Sequence, residues 1–96
     1  MLEMKPRAQR FPVKVPLKYR HAGTSEWLDG RTVNISRTGI LFDASEEIPL
    51  HSLLEMRIDF PLMSRLSCHA SVVRAADLST LVAVKIQNYN LRRPRY

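Results

Sequence analysis

The chain is poor in the residues from which small enzymes and disulfide-stapled domains are built. Its single cysteine, Cys68, cannot form an internal disulfide, which agrees with a reducing cytosol. Its three glycines, Gly23, Gly30 and Gly39, lie far apart, so there is no glycine-rich loop to cradle a phosphate. His21, His51 and His69 are scattered without metal-ligand spacing, and one cysteine adds little to them. No stretch approaches the roughly 20 apolar residues needed to cross a bilayer. Met1-Leu2-Glu3-Met4 lacks the charged start and apolar middle of a secretory signal. Without that signal, the match of Asn34-Ile35-Ser36 to a glycosylation acceptor carries no weight. The expectation is a cytoplasmic protein that is not an enzyme, takes no metal or cofactor and does not insert into a membrane.

The 96 residues are enough for one domain with a single modest core. A hydrophobic content of 45% with 25% charged residues fits a folded chain. The formal net charge is +6, and its placement says more than its size. Lys5, Arg7, Arg10, Lys14, Lys18 and Arg20 crowd the beginning, Arg92, Arg93 and Arg95 close the chain, and Glu46, Glu47, Glu55 and Asp59 sit in the middle. Basic ends around a balanced centre point to an anionic partner: a nucleotide, a nucleic acid or an anionic membrane surface.

Residues 1–11 have no apolar periodicity and read as an extended basic arm. From residue 13 the pattern changes. Val13, Val15, Leu17 and Tyr19 alternate with Lys14, Pro16, Lys18 and Arg20, the mark of a half-exposed strand. Pro16 cannot donate to a ladder, so this strand lies at an edge or has an unpaired side there. A second strand runs over 27–36 with a bulge or twist at Gly30, and a third over 39–44. In the fourth, Leu54, Met56, Ile58 and Phe60 alternate with Leu53, Glu55, Arg57 and Asp59. The fifth carries Leu66, Cys68, Ala70 and Val72 on one face, which makes Cys68 a core filler rather than a nucleophile. The sixth carries Val82, Val84 and Ile86; after Asn88 the alternation is lost, and residues 89–96 read as a basic tail. Six short strands of period two predict an all-β, six-stranded antiparallel barrel over residues 12–88, closed so as to hide its edges and filled with side chains.

The stretch with the clearest functional character joins the second and third strands. In Val33-Asn34-Ile35-Ser36-Arg37-Thr38-Gly39, Val33 and Ile35 are expected to face the core, leaving Asn34 and Ser36 side by side outside. Gly39 can adopt a positive φ and so reverse the chain. The arm supplies arginines, whose planar fork suits phosphate and the O6/N7 edge of guanine. Arm and hairpin could close on a nucleotide from two sides.

These residues resemble the PilZ domains, bacterial receptors for cyclic di-GMP. Asn34-Ile35-Ser36-Arg37-Thr38-Gly39 matches the family's (Asp/Asn)-x-Ser-x-x-Gly motif, and the likeness extends in order through residues 12–20, 40–42, 54–61, 70–74 and 82–86. It implies a six-stranded barrel, often with a C-terminal helix, which here would be short or missing. It also implies an Arg-x-x-x-Arg motif before the first strand. Arg10 matches the second arginine; Pro6 stands where the first would be, with Arg7 and Lys5 as neighbouring cations. The ligand residues so implied are Arg7, Arg10, Asn34, Ser36 and Gly39, with Lys5 and Arg37 as further candidates. A bound ligand would order the arm and pass the signal to a protein partner. Two other readings stand beside this one: a PilZ fold that serves only as a protein-interaction module, and a small basic barrel that binds nucleic acid. Few aromatics suit the last of these, with only Phe11, Trp27 and the tyrosines available for base stacking.

Overall fold

A single sheet with one apolar face and nothing packed on it hides that face from water by curling until the face becomes an interior. That is the architecture of the computed structural model, which describes residues 9–61, 64–75 and 78–92. Six strands, β1 (Pro16–His21), β2 (Leu28–Ile35), β3 (Gly39–Asp43), β4 (Leu53–Asp59), β5 (Arg65–Ala75) and β6 (Leu81–Arg92), form a closed antiparallel barrel in the order β1-β2-β3-β6-β5-β4. There is no helix among the described residues.

The interior is made of the expected alternating positions. Leu17 and Tyr19 of β1, Ile40 and Phe42 of β3, Leu54, Met56 and Ile58 of β4, Cys68, Ala70 and Val72 of β5, and Val82 and Val84 of β6 are all buried. Tyr19 is fully buried yet keeps its hydroxyl satisfied against the Ser45 hydroxyl at 3.1 Å. Burial raises the Tyr19 pKa above its ordinary value, so the phenol stays neutral.

Pro16 is the first residue of β1 and pairs with Arg31 of β2, whereas the pairing with β4 begins only at Leu17. The β4 side is therefore open where the proline lacks its N–H. Residues 13–15, expected within the first strand, precede it. They are tied to β2 instead, through Thr32: its hydroxyl donates to the Val13 carbonyl and accepts from the Val15 N–H at 2.8 Å, and its backbone N–H donates to the Val15 carbonyl at 2.9 Å.

Two expectations about β2 need correction. The irregularity is not at Gly30, which pairs in regular register with Leu17, but at Val33, skipped between the pairs Thr32–Phe42 and Asn34–Leu41. Gly30 serves close packing, since a Cβ there would lie 2.9 Å from the Asp43 carbonyl oxygen. The bulge also changes which residue faces inward. Thr32, not Val33, is buried at 1% exposure opposite Phe42. The extra residue then reverses the alternation, so that Ile35 packs on the core and Asn34 faces out.

The sixth strand also outruns the expectation that its pattern ends near Asn88. It continues to Arg92, pairing with residues 65–69 of β5, and residues 87–92 are all exposed. This part of β6 is held by backbone pairing without a buried face, which is why its sequence shows no alternation.

Candidate functional site

The site is built on the β2–β3 turn. Ser36 closes it with backbone and side chain together. Its N–H donates to the Gly39 carbonyl at 2.9 Å, and its hydroxyl oxygen accepts from the N–H groups of Thr38 at 3.3 Å and Gly39 at 3.1 Å. A serine at this position therefore fixes the turn from within, as Ser and Thr side chains do when they bond to nearby backbone. Thr38 in turn accepts on its carbonyl the N–H of Ile86 at 2.8 Å, which ties the turn to β6.

Gly39 does not reverse the chain through a positive φ; among the described glycines only Gly23, at +85°, has one. Its requirement is steric. Gly39 pairs with Lys85, and a Cβ would meet the Val84 carbonyl oxygen at 2.6 Å, closer than any side chain tolerates. The absent side chain lets the two backbones close up beside the turn.

The arm meets this hairpin through Phe11. Its N–H donates to the Ile35 carbonyl at 2.9 Å and its carbonyl accepts from the Ile35 N–H at 3.0 Å. The bridge sets Arg10, one residue upstream, beside the residues that flank Ile35. Arg10, Asn34, Ser36 and Gly39 all line one cavity of about 410 Å³. Arg37 is exposed on the turn and is not part of that lining. Lys5, Pro6 and Arg7 lie outside the described residues.

The cavity holds two cations that the sequence reading did not single out. Arg74, near the end of β5, and Lys85, on the outer face of β6, both line it. The register explains their presence: Lys85 is the direct partner of Gly39, and Arg74 is paired with Ala83, two residues earlier on β6. A signal for Lys85 existed in the outward parity of β6, but nothing in one sequence says that β6 lies next to β3. Arg10, Arg74 and Lys85 thus face one space whose lining contains no carboxylate, and none of them forms an ion pair with a described residue. Such an uncompensated cluster is a site for an anion with planar or bidentate edges.

The cysteine and two of the three histidines are engaged elsewhere. Cys68 is buried, and burial pushes its thiol up to about 11, so it is not a thiolate at neutral pH. His21 pairs with Glu46 at 2.7 Å, and His69 bonds to Asn88 at 2.8 Å. Among the described residues no three His, Cys, Asp or Glu side chains are grouped so as to hold a metal ion.

Comparison with known proteins adds an independent line. The family model described as PilZ domain matches residues 5–93. Among solved structures, one described as the crystal structure of the PilZ domain of CeSA from a cellulose-synthesizing bacterium is similar in fold, with a TM-score of 0.69. The two are 18% identical, and the match covers 86% of this chain and 84% of that one. No curated protein matches the sequence.

Proposed function

This chain belongs to the PilZ domain family, and from that premise we propose that it is a cytoplasmic bacterial receptor module that binds cyclic di-GMP without catalysing a reaction. The ligand sits between the N-terminal arm and the Asn34–Gly39 hairpin. The observation that carries this reading is the convergence of Arg10, Arg74 and Lys85 with Asn34 on the cavity beside the family motif. A cyclic dinucleotide brings two phosphodiester charges and two guanine edges. Arg10 offers the fork that matches guanine O6/N7, and Lys85 and Arg74 offer point and planar charge to the phosphates. Asn34 supplies donors and an acceptor to the base. Ser36 contributes chiefly by holding the turn, since its hydroxyl oxygen already accepts two backbone N–H groups. Gly39 lets β3 and β6 close up beneath the site.

Arg7 and Lys5 belong to the same reading as the cations that reach the ligand from the arm. Pinning the basic arm against the barrel changes the surface offered to a protein partner, and that change is the signal. Calorimetric titration of the chain with cyclic di-GMP tests this, with Arg10→Ala as control. Binding weakened about 5- to 150-fold by the substitution is the expected result, the equivalent of ~1–3 kcal/mol for one arginine–guanine pair. No heat up to high micromolar ligand would refute it.

Pro6 in the place of an arginine favours a second reading, in which the fold serves as a protein-interaction module and binds no nucleotide. That reading requires Arg10→Ala and Ser36→Ala to leave function in the cell unchanged.

A further inference from the structure

A second groove, of about 320 Å³, lies on the outer face of β1, β4, β5 and β6 and shares no lining residue with the nucleotide cavity. Its wall is Trp27, with the guanidinium carbons of Arg20 and Arg57 at 4.6 and 4.7 Å from the indole ring centroid. Its floor is a row of side chains crossing four strands in register: Arg20 opposite Glu55, Glu55 opposite His69, His69 opposite Asn88. Its members lie within hydrogen-bond or ion-pair distance of one another. The Arg20 Nε donates to Glu55 at 2.5 Å, the other Glu55 oxygen lies 3.5 Å from His69 Nε2, and His69 Nδ1 is 2.8 Å from the Asn88 amide oxygen. One row along, Arg57 stands opposite Ser67, and Ser67 opposite Asn90.

Arg57 is the odd member. Arg20 is neutralised by Glu55, and Asp59, the next acid on β4, is held by Arg65 at 2.6 Å. No described carboxylate lies within ion-pair distance of Arg57, although its charge helps hold the Asp59 carboxyl low; it is half-buried and stacked on Trp27. Stacking on an aromatic face fixes the plane of a guanidinium and leaves its N–H edge for a planar acceptor.

We propose that this groove docks an extended segment of a partner protein that carries an aspartate or glutamate, with the carboxylate on Arg57 and the segment's backbone amides on Ser67 and Asn90. The dimensions fit. Three strands about 4.8 Å apart give the Arg57–Ser67–Asn90 row a length of some 10 Å, that of about three residues of extended chain. Serine and asparagine side chains both donate and accept, as a peptide backbone requires. The charge balance fits as well. Arg20 holds Glu55 below the ordinary carboxylate range, so Glu55 stays ionised two residues from Arg57 on the same face of β4. Glu55 opposes a doubly charged phosphate more strongly than a single carboxylate, and Arg57 is the arginine of the groove that has no ion pair among the described residues. The proposal goes beyond nucleotide binding and does not depend on it.

Trp27 is the only tryptophan of the chain, so its emission reports on this groove alone. The experiment titrates the full chain with a capped hexapeptide of alternating serine and aspartate. Its serine–asparagine counterpart, inorganic phosphate and, in a separate calorimetric arm, cyclic di-GMP serve as comparisons. A saturable change in Trp27 emission with the acidic peptide is expected. Arg57→Gln should weaken it at least tenfold, and so should Asn90→Asp, which places an acid in the groove at an exposed position. Neither variant should alter the response to cyclic di-GMP, whatever that response is. An equal response to the asparagine peptide, saturation by phosphate instead, or affinity unchanged in both variants would overturn the proposal. So would an emission change that follows protein concentration rather than peptide, since a second copy would then be the occupant. Should Arg57→Gln lose its strand signal in circular dichroism, Asn90→Asp decides.

Discussion

Two clusters of arginine sit on this barrel and differ in how their charge is balanced. At the β2–β3 turn, Arg10, Arg74 and Lys85 share a cavity without a carboxylate. On the β1–β4–β5–β6 face, Arg20 is matched by Glu55 and leans on Trp27, and Arg57 leans on the same ring without an ion pair among the described residues. The first cluster has little besides repulsion within itself and is held in place by the backbone: the Phe11–Ile35 bridge and the register of β3 with β6. The second is held largely by its own side chains. A cluster that keeps its charges apart from their countercharges suits the anion proposed for it, whereas the second face balances most of its charge within itself.

The strongest way to break the first cluster is to spoil the close approach beneath it. Gly39→Val drives a branched side chain into the Val84 carbonyl and should cost ~2–3 kcal/mol by overpacking. A calorimetric melt should show Tm lower by about 10–20 °C, and cyclic di-GMP binding should be lost with the β3–β6 register. Next comes the anchoring of the arm. Thr32→Val keeps the shape but leaves the Val15 N–H without its side-chain acceptor, at a cost of ~1–3 kcal/mol read from denaturant midpoints. The placement of Arg10 should loosen along with it, because residues 13–15 are then left with backbone bonds alone to β2.

Lys85→Ala should be smaller still. The fold should be unchanged, with ligand affinity lower by about tenfold, equivalent to ~1.4 kcal/mol, and less dependent on salt than in the parent chain. If Lys85→Ala binds as tightly as the parent, the cations of the cavity are not acting together.

The smallest effect belongs to the balanced cluster and appears as a pH dependence. Glu55 titrates below its ordinary value of 4.5 because Arg20 bonds to and neutralises its charged form. A depressed carboxyl stabilises the fold fully above 4.5 and loses that contribution as pH falls through the lower folded value. Glu55→Gln should therefore flatten the stability curve on the acid side of pH 4.5 in denaturant titrations. An unaltered acid limb would mean that the Arg20–Glu55 pair contributes nothing, as many exposed pairs do.

The two clusters also differ in how far a single sequence discloses them. Asn34, Ser36 and Gly39 form a recognisable local pattern, because a tight turn needs its polar and small residues at fixed spacing. Arg10 could be anticipated from the basic arm. Arg74 and Lys85 could not, since they reach the cavity only through pairings between β3, β5 and β6, and pairing order leaves no trace in strand periodicity. The Arg20–Glu55–His69–Asn88 row was hidden for the same reason: it is one residue from each of four strands. The bulge at Val33 was misplaced to Gly30 because a glycine attracts suspicion, whereas a bulge requires only one unpaired residue, and valine can be that residue when Thr32 finds acceptors and donors inside.

What the sequence determined by itself is the class of structure and the chemistry of its turn. Period-two alternation with one apolar face per strand leaves closure into a barrel as the way to bury that face without open edges, and the Asn-x-Ser-x-x-Gly spacing defines its own turn. What only the tertiary structure decided is which charges meet. Strand order, register and one bulge set three cations around an empty space on one side and a neutralised row on the other. These are long-range consequences of how six strands close on one another, and side-chain spacing along the chain does not encode them.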